Sequence, residues 1–261
     1  MKAATVQDWM GKLKVLRDRY NFPPKLILNF DETMLDASGH KVKVLVCAQD
    51  PCLFTENEAK LKHITLGLYI SAAGGFICPL LILPLKNLPA VDPKVQAFYS
   101  FAGQTNGFID NAIWHNWVKD EIVPYVTQIH LSLNKPTQPA LLIVDSHSTR
   151  KHQPTILLFT DHNIIVLILP AHSSTILQPL DLIVNGELKC LLKLRFKPKK
   201  SEYGPIKHNK LLYTTVDCLQ GVFLAMHITD GFFRAGIYPF SEEAPLNSKV
   251  SKWLERLHPT S

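Results

Sequence analysis

The alternation of apolar and polar positions in the first part of the chain predicts one amphipathic helix followed by a meander of strands. Over residues 7–20, apolar side chains recur at three- and four-residue spacings, which is typical of a helix, and the NFPP segment ends it. Apolar runs bounded by turn residues then predict strands over 25–32, 41–48, 63–72 and 76–84, with SAAGGF as the turn between the last two.

The rest of the chain alternates helical and strand patterns, which predicts an α/β domain. A helical stripe over 109–128 contains Pro124, where a kink or a break is expected because proline lacks the backbone N–H. The continuous apolar run ALLIVD predicts a strand buried on both faces. The remaining predicted elements are a short helix over 154–162, a strand over 163–170, a helix opened by Asp181, an exposed connection over 196–210 and a helix from about 208 to 227.

The composition is that of a folded globular protein with an excess of positive charge. Hydrophobic residues make up 46% of the 261 residues and charged residues 19%, unlike a disordered chain. The five cysteines are scattered without a CxxC spacing, which indicates neither a disulfide framework nor a zinc ribbon. No apolar run approaches the roughly 18–20 residues that cross a bilayer, so we expect a soluble intracellular protein with no membrane partner. The net charge of +6 permits a polyanionic partner.

Three aspartates stand out by position rather than by number. Asp31 and Asp145 come at the carboxyl ends of predicted buried strands, and Asp181 comes at the start of a predicted helix. Open α/β sheets collect functional groups at such strand ends. Three carboxylates there can hold two hard cations about 3.5–4 Å apart, and Mg²⁺ keeps several waters in such sites. Each aspartate alone could instead open a turn or cap a helix, but the three together favour a metal site.

Five segments carry a resemblance to a known family. They are ILNFDET, HITLGLYISAAGGFICPLLILP, LLIVDSHSTRKH, LILPAHSSTILQPLDLIVNGELK and GFFRAGIYPFS. The series resembles the DDE superfamily endonuclease domain of pogo, Tigger and jerky type transposases, which is related to centromere protein B. The QPLD motif after an LPxH strand end is the most specific part of the resemblance. The short interval from Asp145 to Asp181 also agrees with the second spacing of this superfamily.

The resemblance implies a ribonuclease H-like mixed sheet flanked by helices, with a divalent-metal triad. Asp31 from DET, Asp145 from LLIVD and Asp181 from QPLD correspond to the catalytic residues, which would bind two Mg²⁺ or Mn²⁺ ions. Glu187 is the rival third ligand. Six residues along one helix turn by about 600°, which leaves Glu187 about 120° around from Asp181. We therefore prefer Asp181.

The resemblance also implies that DNA is the partner. The basic segment KLRFKPKK continues the predicted Asp181 helix, with Lys189, Lys193 and Lys197 recurring every four residues on one helical face. Such side chains contact phosphates in nucleic-acid-binding proteins, although a solvated helix face is the alternative. We expect DNA contacts from this region and from histidines near the aspartates: Lys189, Lys193, Arg195, Lys197, His147 and His172. A nuclear location follows from that function, and a homodimer is the candidate assembly.

The chain divides into three predicted parts. These are an N-terminal linker helix over 1–24, a ribonuclease H-like catalytic core over 25–200 and a C-terminal helical extension of the same domain over 201–261. Transposases of this family carry helix-turn-helix DNA-binding domains ahead of the catalytic domain, whereas this chain begins almost at that domain. We therefore expect a separate DNA-binding domain to be missing from it.

Other residue groups and other functions compete with this interpretation. His147, His152, His162 and His172 suggest zinc, but the carboxylates favour a harder metal and the spacings match no zinc motif. Trp114, Trp117 and Tyr125 could stack on bases, yet aromatic residues at helical spacing more often belong to a core. The functional alternatives are a domesticated, catalytically inactive DNA-binding or chromatin protein and an unrelated metal-dependent phosphohydrolase.

Overall fold

The computed structural model of the protein describes residues 3–35, 64–86, 93–197 and 204–247. The strands are β1 (Ile27–Leu35), β2 (Ile64–Ser71), β3 (Leu80–Leu83), β4 (Ser100–Gly103), β5 (Ala140–Val144) and β6 (Ile164–Ile168). The helices are α1 (Ala3–Tyr20), α2 (Pro93–Gln96), α3 (Asn111–Trp117), α4 (Val123–Leu133), α5 (Gln153–Asp161), α6 (Ser174–Leu177), α7 (Pro179–Leu182), α8 (Val184–Arg195), α9 (Gly204–Val222) and α10 (Ala225–Arg234). The strand predicted over 41–48 lies outside the described residues.

These strands form one mixed sheet in the order β4-β3-β2-β1-β5-β6. The β1–β2 and β2–β3 pairs are antiparallel, whereas the β1–β5, β5–β6 and β3–β4 pairs are parallel. All five residues of β5 are buried, which confirms the prediction of a strand covered on both faces. Strand β1 lies between β2 and β5, so its carboxyl end is in the middle of the sheet.

Each face of the sheet is covered by its own apolar layer. Side chains alternate between the faces along a strand, so Ile27 packs in the layer of α1 and α7–α10, whereas Leu28 and Phe30 pack in the layer of α3–α5. Trp114 and Trp117 belong to the second layer and are 0% and 3% exposed. Their burial confirms that these tryptophans are core residues rather than a base-stacking surface.

Helix α1 packs its apolar stripe into the first of these layers. Val6, Trp9, Met10 and Leu13 are almost completely buried, which confirms the predicted amphipathic helix. The indole Nε1 of Trp9 also donates a hydrogen bond to the carbonyl oxygen of Ile168, at 3.0 Å. Helix α1 is therefore fixed to β6, the strand at one edge of the described sheet. The predicted division of the chain into three parts, at residues 24 and 200, stays a prediction.

The irregularity predicted near Pro124 is a local widening of the helix rather than a break. A π-helical turn over Val118–Ile122 joins α3 to α4, and Pro124 lies in the first turn of α4. Because the residues before Pro124 are already helical, its missing N–H removes one bond from the regular pattern, and the π-helical turn lies directly before this position. The chain consequently continues in a helical path from Asn111 to Leu133, and the left-handed Asn134 ends it.

Two predicted helices and two predicted strands are wrong in their bounds. Strand β1 runs on to Leu35, so Asp31 lies within it, opposite Leu68 of β2, rather than at its carboxyl end. Asp181 lies inside the one-turn helix α7, and Ile183, with φ −139° and ψ −68°, interrupts the path before α8 begins. The helix expected over 208–227 is divided between α9 and α10, since Leu224 is extended and Phe223 packs on the ring of Phe76, 4.3 Å between centroids. Strand β3 is shorter than predicted because it begins only after Pro79.

Candidate active site

Asp31 and Asp145 come from neighbouring parallel strands. The pairing of β1 with β5 ends at Asn29 opposite Ile143, Asp31 lies two residues further along β1, and Asp145 directly follows the last residue of β5. Adjacent strands are about 4.8 Å apart. The parallel pairing therefore places Asp145 near Asp31, while the Asp145 carboxylate itself pairs with Arg150, which also contacts Glu32.

Asp181 is brought to Asp31 by a buried amide network between α7 and β1. The Nδ2 of Asn29 donates to Gln178 Oε1 at 2.9 Å, and its Oδ1 accepts a hydrogen bond from the backbone N–H of Leu180 at 3.1 Å. Gln178 Nε2 donates in turn to a backbone carbonyl of β1 at 3.1 Å. Both amides are fully buried, so each group left unpaired by a substitution would cost about 1–3 kcal/mol. The network fixes the position of α7 on the sheet.

Asn185, in the first turn of α8, joins two of the aspartates directly. Its Nδ2 donates one hydrogen bond to Asp31 Oδ2 at 2.8 Å and another to Asp181 Oδ1 at 2.9 Å. Its own Oδ1 is buried and has no hydrogen-bond partner among the described residues. Because a single NH₂ group contacts both carboxylates, Asp31 and Asp181 lie within a few ångströms of each other.

The electrostatics of this cluster are dominated by Asp31. Burial raises the pKa of the Asp31 carboxyl well above its usual value, and the negative charges of Asp181, Glu32 and Asp145 raise it further, while a hydrogen bond from Gln178 acts in the opposite direction. A buried carboxylate near other carboxylates is stabilised in its charged form by a bound cation. The side of the sheet that carries Asp31 is therefore suited to positive charge.

A second charged cluster lies next to the first and centres on Arg150. Its side chain is completely buried, and it pairs with Glu32 through Nη2 and with Asp145 Oδ1 through Nε, the latter at 3.1 Å. The guanidinium carbon lies 4.2 Å from the ring centre of Trp114 and 4.8 Å from that of Phe30. Glu32 and Phe30 are two residues apart on β1, so their side chains point to the same face of the sheet. The side chain of Asp31, which lies between them, points to the opposite face.

The residues predicted to contact DNA lie on the surface. Lys189, Lys193, Arg195 and Lys197 are all exposed, but α8 ends at Arg195, so Lys197 does not continue the helical face on which it was predicted. His147 is exposed and its Nδ1 lies 2.9 Å from the hydroxyl oxygen of Thr149, at the start of the 3-10 turn Ser148–Lys151 that contains Arg150. His172 is exposed in a left-handed turn, with φ 61°. The DNA contacts of these six residues stay predictions.

The geometric reason for preferring Asp181 to Glu187 is wrong, although the structure still separates the two residues. The 120° argument assumed one continuous helix, and the interruption at Ile183 removes that assumption. Glu187 Oε2 instead lies 2.9 Å from Nδ1 of His227, in α10. Asp181 is the residue that shares the Asn185 amide with Asp31.

The donor chemistry of the site fits a hard divalent cation. Its side chains offer carboxylate and amide oxygens, which Mg²⁺ and Mn²⁺ prefer to softer ligands. Among the residues that the structure describes, no group of three or more His, Cys, Asp or Glu side chains is already placed to hold a metal ion. The amide of Asn185 contacts Asp31 and Asp181, and the guanidinium of Arg150 contacts Asp145, so in this structure the aspartates are bonded to protein donors.

The fold class follows from comparison with solved structures. The chain is similar to the Mos1 mariner paired end complex with Mn, at 13% identity and a TM-score of 0.55 over 90% of this chain and 60% of that one. It is also similar to the Mos1 strand transfer complex, at 14% identity and a TM-score of 0.52 over 90% and 59%. The paired end complex with Mg gives 13% identity and a TM-score of 0.50 over 92% and 63%. The fold is ribonuclease H-like, which confirms the predicted fold class.

The family is shown by sequence. The profile of the DDE superfamily endonuclease family matches residues 62–214, which is more than half of the chain, and the chain belongs to this family. The matched residues include Asp145 and Asp181 but begin after Asp31 and Glu32. The catalytic and metal-binding roles of the three aspartates stay predictions.

A curated relative covers almost the whole chain. It is the MFS-type transporter clz9 of Cochliobolus lunatus, 23% identical over an alignment of 259 positions that covers 92% of this chain and 26% of that protein. The chain thus spans about a quarter of this relative and about 60% of the Mos1 chains. Within the described residues, no single helix is long and apolar enough to cross a membrane. Asn209–Val222 and Ala225–Arg234 reach the required length and composition only as a pair, bent by 72°.

Proposed function

We propose that this chain is the metal-dependent DNA-cleaving and strand-transferring domain of a pogo, Tigger or jerky type transposable element. The observation that carries the proposal is the Asn185 amide that joins Asp31 and Asp181, with Asp145 directly after β5, the parallel neighbour of β1. Membership of the DDE superfamily endonuclease family supports it. The Mos1 paired end complexes with Mn and with Mg are consistent with two Mg²⁺ or Mn²⁺ ions as cofactors.

In this proposal the three aspartates bind the cations, and the surrounding residues keep them in place. Divalent cations at such a site lower the pKa of an attacking water or 3′-hydroxyl and offset negative charge on the leaving oxygen. Arg150 orients the carboxylate of Asp145 through its Nε, and the buried amide of Gln178 keeps α7, and with it Asp181, against β1. No covalent intermediate with the protein is required.

DNA, a nuclear location and a homodimer belong to the same proposal. The exposed basic side chains of α8, Lys189, Lys193 and Arg195, follow Asp181 by 8, 12 and 14 residues, roughly 12–21 Å along a helical path, so a DNA strand at the aspartates passes near them. Lysine and arginine contacts to phosphate position nucleic acid without reading its sequence. Recognition of particular transposon ends would then depend on further DNA-reading segments.

A second candidate function is a domesticated DNA-binding protein that keeps the fold without cleaving DNA. One observation favours it: Arg150 already neutralises Asp145, at 3.1 Å from Nε to Oδ1, with a side chain that is itself completely buried. A cation at Asp145 has to share this carboxylate with the guanidinium. The site is active only if a cation competes successfully with the Arg150 guanidinium for the carboxylate of Asp145.

The experiment that tests the proposal is nicking of supercoiled plasmid with Mg²⁺, Mn²⁺ or EDTA. The wild-type chain is expected to nick DNA only with a divalent cation. Asp31→Asn, Asp145→Asn and Asp181→Asn should each lower the rate by about 10² or more, as is usual when a key electrostatic group is removed. Asp161→Asn, an exposed aspartate at the end of α5, is the matched control and should cut like wild type.

Binding of a fluorescent DNA duplex, measured by anisotropy on the same proteins, separates the alternatives. A wild-type protein that binds the duplex but does not nick plasmid with either cation is the DNA-binding relic of the second candidate. A protein that neither binds nor nicks DNA, yet hydrolyses a small phosphate monoester, would be a phosphohydrolase. Retained nicking by the Asp181→Asn protein and lost nicking after Glu187→Gln would reverse the assignment of the third ligand.

A further inference from the structure

The position of Asn185 poses a chemical question, because its amide lies between two carboxylates and yet leaves one of its own atoms unpaired. Its Nδ2 is 2.8 Å from Asp31 Oδ2 and 2.9 Å from Asp181 Oδ1. The carbonyl oxygen of the amide would repel both carboxylates, so the nitrogen has to face them. Oδ1 consequently points away, buried and without a partner among the described residues, on a residue that is 2% exposed.

A buried polar atom without a partner costs free energy unless another state of the protein uses it. An asparagine amide carries two donors and one acceptor on the same planar group. A half-turn about the Cβ–Cγ bond exchanges them, so that the oxygen takes the place of the nitrogen. Amide oxygens are ordinary ligands of hard divalent cations. The same side chain can therefore face the carboxylates with N–H groups or face a cation with its oxygen.

We propose that Asn185 is a two-state residue of this site. It bridges Asp31 and Asp181 with its N–H groups when no cation is present, and it turns Oδ1 toward the cation when one is bound. The inference rests on the proposed function, since it concerns the cation that Asp31 and Asp181 would bind. It adds a residue that keeps the empty site assembled and then serves as a neutral ligand.

Aspartate and leucine would fulfil only one of these roles, or neither. An aspartate at position 185 could ligate a cation but would repel Asp31 and Asp181 in its absence. A leucine has a similar size but supplies neither donors nor a ligand. The two substitutions therefore have different expected effects on the empty protein and opposite expected effects on cation affinity.

The test measures two quantities on the wild-type chain and on Asn185→Asp and Asn185→Leu. The first is the melting temperature in EDTA. The second is the Kd for Mn²⁺, obtained from the electron paramagnetic resonance signal of free Mn²⁺ in a titration without DNA. Asn116→Asp, the same change at an exposed position of α3, is the matched control. Circular dichroism checks that each protein is folded before titration.

In EDTA, both variants should melt below wild type, with Asn185→Asp lowest because it adds a third carboxylate. In the titration, Asn185→Asp should bind Mn²⁺ about tenfold more tightly, since ligand charge tunes affinity in such sites, and Asn185→Leu about tenfold more weakly. The control should match wild type in both measurements. If Asn185 were needed only for packing, both variants should weaken Mn²⁺ binding, or Asn185→Leu should leave the melting temperature unchanged.

The outcomes separate failure of this inference from failure of the proposed function. If wild type binds Mn²⁺ and both variants bind it with the wild-type Kd or more weakly, the role of Asn185 as a ligand is overturned while the metal site stands. If wild type takes up no Mn²⁺, the proposed function fails, and the ligand role fails with it. The melting temperatures in EDTA still decide whether the amide holds Asp31 and Asp181 together.

Discussion

Replacing Arg150 with methionine should destabilise the protein far more than replacing an exposed arginine. Methionine keeps most of the apolar stem but removes the guanidinium that pairs with Glu32 and Asp145. The two carboxylates would then lie close to Asp31 without a counter-charge. The effect is on the free energy of unfolding, independently of any catalytic activity.

The expected magnitude follows from the burial of the three partners. Removing one member of a buried ion pair costs about 3–5 kcal/mol. The side chain of Arg150 is 0% exposed, but those of Glu32 and Asp145 are 16% and 31% exposed, so partial screening favours the lower end, about 3 kcal/mol. Loss of the contacts with the Trp114 and Phe30 rings adds about 0.5–1 kcal/mol. The total is about 4 kcal/mol.

Urea unfolding in EDTA, followed by tryptophan fluorescence and circular dichroism, measures this difference. The matched control is Arg234→Met, which breaks an exposed pair with Asp230 at 2.7 Å and should cost about 0.5 kcal/mol. A Glu32→Gln change added to Arg150→Met should recover part of the loss, because it removes one of the uncompensated charges. Equal stabilities of the Arg150→Met and Arg234→Met proteins would refute the reasoning from burial.

Three other substitutions have expected outcomes. Burial and nearby carboxylates raise the pKa of Asp31, so the folded chain binds a proton there more tightly than the unfolded chain, and stability without metal falls as pH rises between the two pKa values. Asp31→Asn should therefore have a higher melting temperature than wild type near neutral pH in EDTA, and this difference should shrink as pH falls toward the ordinary carboxyl pKa. A difference in melting temperature that stays constant across pH would contradict this. Asn29→Leu leaves the Gln178 amide without its partner and should cost about 2–3 kcal/mol in urea unfolding, whereas a neutral effect would show that the network is dispensable. Lys193→Gln should weaken DNA binding and lower the slope of log K against log salt by about one, while Lys12→Gln on α1 should change neither.

The core elements were predictable because burial acts directly on residue type. Strand β5 needed apolar side chains on both faces, and ALLIV supplies them without a polar interruption. Trp9 and Leu13 recur at helical spacing because one side of α1 is buried. Asp145 was recognisable for a related reason, since its carboxylate comes directly after the buried apolar strand β5, whereas Asp31 lies within β1 and not at its end.

The contacts that complete the site could not be read from the sequence, since they join residues that are far apart in it. Arg150 and Glu32 are separated by 118 positions, and neither is unusual within its own segment. Asn185 joins Asp181 to Asp31, which is 154 positions away, and the helical path between Asp181 and Asn185 is interrupted at Ile183, where neither glycine nor proline marks a break. Local pattern determines local structure, whereas pairing across the sheet depends on the whole fold.

The hydrogen bond from Trp9 to Ile168 has a consequence for the synthesis of the protein. Helix α1 is synthesised before the strand it packs on, which is completed 159 residues later. At about 5–20 residues per second, this interval lasts roughly 8–30 s. During that time β6 is not yet present to pack on the apolar stripe of Trp9, Met10 and Leu13. The nascent chain is therefore a natural client for chaperones that bind exposed apolar helices.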